Sequence, residues 1–318
     1  MSGRPINVLA VVGAGTMGPG IAATFARHGF ETRLADIKAD VLDQARRTVD
    51  VVYSTLVQAG FMTQDEADRG HHHLHYTADV PRALRGVDFV IEAIPERLDL
   101  KQAFFREAEE AVAEDVVLAS NTSGIPITDL ARAVRRPERV VGMHWSNPPH
   151  LIPVIEVVRG AQTGDEAVEI TRQLAERIGM LPVLVRRDVP GFVENRILYA
   201  IMREALYLLE EGIASAEDID TIVRWGLGYK LAVIGPLELL DVAGLDIYHS
   251  VASYLNPELS RRTDVSPLVR EKVARGELGV KTGRGLFTYD AATLPDLTGR
   301  RLRRLVAVRR ALASDGGS

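Results

Sequence analysis

Three groups of residues in this chain have the types and spacing to do chemistry. Gly13-Ala14-Gly15-Thr16-Met17-Gly18 follows an apolar run and opens a helical pattern, and Asp36 closes the next apolar run. In that setting a GxGxxG turn bends tightly at Gly13, lets backbone approach a pyrophosphate at Gly15 and lets helix pack closely on strand at Gly18. The helix start adds free N–H groups and a partial positive charge for phosphate. A carboxylate at Asp36 would accept the ribose hydroxyls and repel a 2′-phosphate, so NAD is expected over NADP. The same glycines could also form a plain turn in an empty α/β domain.

The second group is Ser120-Asn121-Thr122-Ser123, and the third is His144-Trp145-Ser146-Asn147-Pro148-Pro149 with Glu156 beyond it. Both sit where strands of an open sheet are expected to end, which is where such sheets bind ligands. His144 could exchange protons near neutral pH, or serve as a structural hydrogen-bonding residue. Glu156 could orient its imidazole, or be an exposed strand residue. Trp145 could line a pocket or pack in the core. His71-His72-His73 and His75 form another histidine run, with His71 and His75 able to share a helical face, but no carboxylate cluster accompanies them and no metal site is expected.

Positioning these groups requires alternating strands and helices. Apolar runs at Ile6–Val12, Thr32–Asp36, Phe89–Glu92, Val116–Ser120, Val140–His144, Val154–Val158 and Leu181–Arg186 predict strands. Helical patterns lie at Ile21–His28, Val41–Gln58, Lys101–Ala113 and Ile127–Val134. Nearly continuous apolar strands alternating with helices indicate a mostly parallel sheet covered on both faces. Thr63 with Glu66, and Thr163 with Glu166, have the spacing of capping boxes. After Pro190–Gly191 the pattern becomes helical throughout: a long helix over Phe192–Glu211, then starts at Ser215, Pro236 and Pro267. The expected architecture is α/β, a Rossmann-type doubly wound sheet over residues 1–187, followed by a smaller all-α domain over 188–318.

Composition narrows the function classes. The 318 residues are 46% hydrophobic and 25% charged, an ordinary soluble balance that argues against disorder. There is no cysteine, which removes disulfides, thiolate metal sites and cysteine nucleophiles and fits a reducing cytosol. A net charge of −5 offers no broad basic field for nucleic acid. The positive excess is confined to the end, where Arg300, Arg301, Arg303, Arg304, Arg309 and Arg310 face only Asp296 and Asp315. That pattern is expected to be a solvated basic helix face. With no signal-like start and no run of 18 apolar residues, a membrane span and secretion are not expected, and a cytoplasmic protein is.

From Val8 to about Tyr289 the sequence resembles the 3-hydroxyacyl-CoA dehydrogenase family, including its L-gulonate 3-dehydrogenase and lambda-crystallin branch. The resemblance rests on VVGAGTMGPGIA, VIEAIPE, ASNTSG, GMHWSNPP, IPVIEVV, PGFVENRI, GPLELLDVAGLD and GVKTGRGLF. It implies that His144 and Glu156 are a catalytic pair and that Ser123 and Asn195 hold the substrate oxygen. It further implies that Glu96, Lys101, Ser123 and Asn147 join Gly13, Gly15, Thr16, Met17, Gly18 and Asp36 around NAD. The implied reaction interconverts a secondary 3-hydroxyl and a 3-ketone, by hydride transfer to or from the cofactor, on a small β-hydroxy or β-keto substrate. A homodimer through the helical domain is also implied.

Three segments depart from the acyl-CoA pattern. Where acyl-CoA enzymes carry a basic arm resembling EKGKI, this chain reads Gln58-Ala59-Gly60-Phe61-Met62, which points to a substrate that is not a CoA thioester. The double proline at Pro148–Pro149 and the segment from Gly226 to Glu238 lean toward the gulonate and crystallin branch, in which Lys230 could meet a substrate carboxylate or be a surface lysine. Glu194 stands where the family has an apolar or small residue; it could tune the pocket, reject acidic substrates, or face solvent. The alternatives are a hydroxy-acid dehydrogenase or biosynthetic β-ketoreductase and, outside enzymes, a crystallin-like structural or NAD-sensing protein.

Overall fold

A computed structural model describes residues 5–314, and the chain divides into two compact units, Met1–Arg196 and Ile197–Ser318. The first unit runs β1 (Val8–Val12), α1 (Gly18–Arg27), β2 (Glu31–Ala35), α2 (Ala39–Gln58), α3 (Gln64–His73), β3 (Leu74–Thr77), α4 (Val80–Leu84), β4 (Phe89–Glu92) and α5 (Leu98–Ala111). It continues through β5 (Val117–Ser120), α6 (Ile127–Ala131), β6 (Val140–Trp145), β7 (Val154–Val158), α7 (Asp165–Arg177) and β8 (Leu181–Val185).

The strands form one eight-stranded sheet in the order β3-β2-β1-β4-β5-β6-β7-β8. Its first six strands have the order of a doubly wound dinucleotide-binding sheet. Every neighbouring pair is parallel except β6 and β7, which are antiparallel. β4, β5 and β6 are buried along their whole length, as expected of strands with helices on both faces. The helices supply matching apolar stripes: α2 buries Leu42, Ala45, Val49, Val52, Tyr53 and Leu56, at the three- and four-residue spacing of one helix face.

The capping box predicted at Thr63 is formed, with Thr63 accepting from the Glu66 N–H and Glu66 accepting from the Thr63 N–H. The one predicted at Thr163 is not. Gly164 occupies the N-cap of α7 without a side-chain cap. The Thr163 hydroxyl is spent elsewhere, donating to the Val140 carbonyl at 2.6 Å and accepting from the Gly160 N–H at 2.9 Å. A buried hydroxyl under the start of β6 satisfies two backbone groups there, and this outweighs a cap at a helix end that water can reach.

α8 (Glu194–Glu210) begins in the first unit and carries the chain into the second. There follow α9 (Ala216–Ile222), a π-helical turn at Val223–Gly228, α10 (Tyr229–Leu231), α11 (Pro236–Ala243), α12 (Leu245–Leu255), α13 (Pro267–Ala274) and α14 (Leu294–Ser314). The six arginines of the tail lie on α14, while Asp315 lies outside the described residues. Among the described residues, no helix is long and apolar enough to cross a membrane.

Candidate active site

His144 and Glu156 are direct cross-strand partners in the antiparallel β6–β7 ladder. Directly opposed residues put their side chains on the same face of the sheet, about 4.5–5.5 Å apart at Cβ. Here the His144 Nδ1 meets Glu156 Oε2 at 2.7 Å, and both residues are buried. A carboxylate can only accept, so Nδ1 carries the proton and Nε2 of the neutral ring is left as a base. The other Glu156 oxygen accepts the backbone N–H groups of Val193, at 2.9 Å, and Glu194, at 3.1 Å, where α8 begins. Burial would raise the Glu156 carboxyl, but the bonds from His144, Val193 and Glu194 outweigh it and hold the group below its ordinary value.

Behind the imidazole lies Phe192, fully buried, with its ring centroid 5.8 Å from that of His144. Its φ of 48° is unusual for a residue with a bulky side chain. This left-handed step, just after Gly191 at φ 78°, turns the chain from β8 so that the α8 N–H groups face Glu156. Backbone held in a sparsely populated region is common where a site needs a fixed geometry.

Glu194 and Ser146 complete this corner. The Ser146 hydroxyl donates to the Glu194 carboxylate. One donor atom each from His144, Glu156 and Glu194 lies within 4.8 Å of the others. A metal is not favoured among them, because both Glu156 oxygens already accept hydrogen bonds.

A second network holds the strand ends beside it. The Glu92 carboxylate, fully buried at the end of β4, accepts from Lys101 Nζ at 2.6 Å, from the Ser120 hydroxyl at 2.6 Å and from the Ile94 N–H at 2.8 Å. Burial pushes its carboxyl above the ordinary range in spite of the ammonium. Lys101 is 1% exposed and also reaches the Ile94 carbonyl and Glu96, so its ammonium sits beneath the loop. Glu96 accepts from the Thr122 hydroxyl at 2.6 Å and from the N–H groups of Ser123 and Gly124 at 2.9 and 3.1 Å. Burial opposes its charge, but these bonds and Lys101 keep its carboxyl below the ordinary value. Asn195 Nδ2 donates to the Ser123 carbonyl at 2.9 Å, so Ser123 and Asn195 are brought together. Asn147 is exposed at the end of β6.

The glycine loop at the end of β1 fits a dinucleotide. A Cβ at Gly13 would lie 2.4 Å from the Ala93 carbonyl oxygen, and one at Gly18 only 1.8 Å from the Gly13 carbonyl oxygen. A Cβ at Gly15 would meet nothing within 4 Å. Gly13 and Gly18 are thus required by the fold, whereas Gly15, with Thr16, is exposed and opens a space that backbone N–H groups can offer to phosphate. Met17 occupies the N-cap of α1 without capping it by its side chain. Asp36 Oδ2 accepts from the Ala14 N–H at 2.9 Å and Oδ1 from the Lys38 N–H at 3.0 Å.

Other candidates have surroundings of their own. Trp145 is 1% exposed and packs edge-on against Phe25 at 5.7 Å, in the core. The histidine run is divided: His71 meets Tyr53 edge-on and pairs with Asp50, while His73 and His75 each bond one oxygen of Glu31 at 2.8 Å. Lys230 belongs to the second unit, where it is exposed on α10. Gln58–Met62 forms the turn between α2 and α3, with Ala59 and Met62 buried. Glu92 escapes a reading of motifs as a site residue, and Thr122 and Ser146 are read only as members of their polar segments, because the partners Lys101, Glu96 and Glu194 that give them roles are distant in sequence.

The 3-hydroxyacyl-CoA dehydrogenase NAD-binding domain profile matches residues 8–189, and that of the family's C-terminal domain matches residues 191–289. A Mesorhizobium japonicum protein named 5-formyl-3-hydroxy-2-methylpyridine 4-carboxylate 5-dehydrogenase is 47% identical over 307 residues, 96% of this chain and 98% of its own. A crystal structure of a 5-formyl-3-hydroxy-2-methylpyridine 4-carboxylic acid 5-dehydrogenase, described as an NAD+-dependent dismutase, matches with a TM-score of 0.92 at 47% identity, covering 97% of this chain and 99% of that one. A Deinococcus radiodurans protein named probable 3-hydroxybutyryl-CoA dehydrogenase is 39% identical, over 88% of this chain and 99% of its own.

Proposed function

The chain belongs to the 3-hydroxyacyl-CoA dehydrogenase family, and we propose that it is a member that oxidises a small carbonyl substrate, an aldehyde that is not a CoA thioester. That it is an NAD-dependent oxidoreductase acting on hydroxyl groups follows from the family. The observation that carries the chemistry is the buried His144–Glu156 hydrogen bond at the end of β6. The aldehyde is supported by likeness, over nearly the whole of both chains, to a protein named for a pyridine aldehyde. The turn at Gln58–Met62, which has no basic residue, agrees with it.

Bound NAD supplies the acceptor or donor of hydride, and Gly13, Gly15, Thr16, Met17, Gly18, Asp36, Glu96, Ser123 and Asn147 are the residues proposed to hold it, with Lys101, itself buried, acting through its ion pair with Glu96. His144 takes the proton of the substrate hydroxyl on Nε2 during oxidation. Glu156, holding Nδ1–H, fixes that tautomer and stabilises the positive charge that develops on the ring. Ser123 and Asn195 position the oxygen, so the proton is transferred within a fixed geometry. In the reverse direction the same ring returns the proton to a carbonyl oxygen. One acid/base group therefore serves both oxidation and reduction, as a dismutation would require.

Initial rates on 5-formyl-3-hydroxy-2-methylpyridine 4-carboxylate with NAD+, beside acetoacetyl-CoA with NADH, 3-hydroxybutyrate and L-gulonate, test the reading. The aldehyde is expected to be the best substrate by kcat/KM. Efficient turnover of acetoacetyl-CoA instead would overturn the substrate proposal. His144→Gln is expected to bind NAD as the wild type does and to lose about 10²–10⁴-fold in turnover; retained turnover would remove the acid/base assignment.

The second unit supports a homodimer. Its α8, α11 and α12 bury no residue, and Tyr199, Trp225, Leu237, Val242 and Leu245 are each at least 60% exposed. So much apolar helix surface left in water calls for a cover, and a second copy of the chain supplies one of matching character. Sedimentation should then give twice the 34.8 kDa of one chain; a monomer at micromolar concentration would refute it.

A further inference from the structure

Glu194 is the feature of this corner that the proton transfer leaves unused. His144 takes one proton, Glu156 orients His144, and Ser123 and Asn195 hold one oxygen. Glu194 adds a carboxylate whose oxygen lies within 4.8 Å of a ring nitrogen of His144. It is the first residue of α8, its backbone N–H is fixed by Glu156, and its side chain is fixed by Ser146. A carboxylate so held accepts hydrogen bonds and donates none, and it takes only one from the Ser146 hydroxyl. It has capacity for another donor, within 4.8 Å of a nitrogen of the imidazole that takes the substrate proton.

We propose that Glu194 accepts a hydrogen bond from the second hydroxyl of an aldehyde hydrate and so makes this site competent to oxidise aldehydes to acids. The inference rests on the aldehyde reading above. Water adds to the aldehyde to give the hydrate, whose reacting carbon carries one hydrogen and two hydroxyls. In the oxidation the C–H bond breaks and its electron pair leaves as hydride to the nicotinamide. One O–H bond breaks with its proton going to His144, and that oxygen forms the C=O bond. The second hydroxyl remains as the acid OH, bonded to Glu194. Aldehyde plus water plus NAD+ thus gives acid plus NADH plus a proton. Reduction of the aldehyde to a primary alcohol involves only one oxygen, held by His144, Ser123 and Asn195, and has no donor for Glu194 to accept.

This difference gives the test. Wild type, Glu194→Gln and Ser146→Ala are assayed with 5-formyl-3-hydroxy-2-methylpyridine 4-carboxylate, once with NAD+ and once with NADH, and the acid and alcohol products are quantified separately. A hydrogen bond to a charged acceptor corresponds to about 10- to 100-fold in rate. In Glu194→Gln the single amide oxygen accepts from Ser146 and the NH2 is left toward the hydrate hydroxyl, so acid formation is expected to fall by about that factor and the acid-to-alcohol rate ratio by at least about tenfold. Ser146→Ala, which removes the carboxylate's anchor but leaves its charge, should move the ratio in the same direction by less. A ratio unchanged in Glu194→Gln, with both rates falling together or neither falling, would overturn the assignment while leaving the aldehyde reading intact. A wild type that converts no aldehyde would overturn both. Thermal melting of each variant guards against loss of fold, and a Glu194→Gln chain that does not fold shifts the decision to the Ser146→Ala ratio.

Discussion

Replacing Glu156 by glutamine separates its two jobs. The carboxylate accepts three hydrogen bonds, from His144 Nδ1, from the Val193 N–H and from the Glu194 N–H. A glutamine has one oxygen and one NH2 to offer. Turning the oxygen toward His144 would set the NH2 against two N–H donors and leave both without an acceptor, at about 1–3 kcal/mol each where water cannot reach. Turning the oxygen toward Val193 and Glu194 keeps both backbone bonds and only requires the imidazole proton to move to Nε2. The second orientation wins. The variant should therefore fold, losing no more than about 1.5 kcal/mol, the size of one net hydrogen bond, while His144 presents an N–H where a base is needed. The same amide-for-carboxylate exchange beside a serine-protease histidine lowers turnover about 10⁴-fold. We expect a loss of about 10³–10⁴-fold in kcat, or roughly 4–5.5 kcal/mol at about 1.36 kcal/mol per decade. Glu156→Ala should be the worse folder, because the α8 N–H groups then lose their acceptor as well. Its destabilisation of about 2–4 kcal/mol corresponds to a fall in Tm of several degrees for a unit of this size. Steady-state rates in both directions, NAD binding by fluorescence and thermal melts read the three quantities. A glutamine variant keeping a tenth of wild-type turnover, or melting as low as the alanine variant, would refute the account.

Further outcomes follow from the glycine loop, Asp36 and Glu31. Gly15→Ala should melt like the wild type, since its Cβ meets nothing within 4 Å, yet bind NAD at least about tenfold more weakly, a cost of about 1.4 kcal/mol. Gly18→Ala should lower Tm and nucleotide binding together, because its Cβ would lie 1.8 Å from a carbonyl oxygen. Asp36→Asn should raise the NADP-to-NAD ratio of kcat/KM by about tenfold, and an unchanged ratio would remove Asp36 from cofactor choice. Glu31 is held below its ordinary value of 4.5, chiefly by its bond from His75 and then by that from His73. A lowered folded value means that its contribution is present above about pH 4.5 and lost as pH falls through the folded value. The Tm gap between wild type and Glu31→Gln should accordingly be full near neutral pH and close under acid; a gap that widens under acid contradicts the sign.

What is legible in the sequence differs between the two halves of the site. The glycine loop can be read because its requirements are local: one turn, one helix start and a carboxylate at the end of the next strand. Its three glycines then divide into two that the fold requires and one that faces open space, a distinction only packing reveals. The His144–Glu156 pair cannot be read from spacing, because a parallel sheet sets strand ends beside strand ends and would hold His144, near the end of β6, away from Glu156 in the middle of β7. It forms because β6 and β7 break the parallel rule; the residues alone leave Glu156 as one of two readings, and the family resemblance selects the pair. Thr163 shows the opposite case, a capping pattern present in the sequence and overridden by a buried backbone group that needed its hydroxyl more.

The antiparallel pair also explains why His144, the proposed acid/base group, and the start of α8 belong to one device. A parallel β6–β7 connection would need a crossover of a dozen residues or more, usually a helix. The antiparallel connection, residues 146–153, is shorter than that and contains no helix. Glu156, directly opposite His144, then has one oxygen for the imidazole and one left over. Leaving that oxygen unpaired in a buried site would be costly, and the strained step at Gly191–Phe192 brings two N–H groups to it. The same step sets Glu194 beside Ser146 and Asn195 beside Ser123. Relaxing Phe192 to a conformation with negative φ would therefore release Glu156, Glu194 and Asn195 together. Phe192→Gly keeps the positive φ but removes the ring behind His144, whereas Phe192→Val keeps an apolar side chain but resists the positive φ. If the backbone step organises the site, the valine variant loses more turnover than the glycine variant per degree of Tm lost. Equal losses would assign the importance to the ring instead.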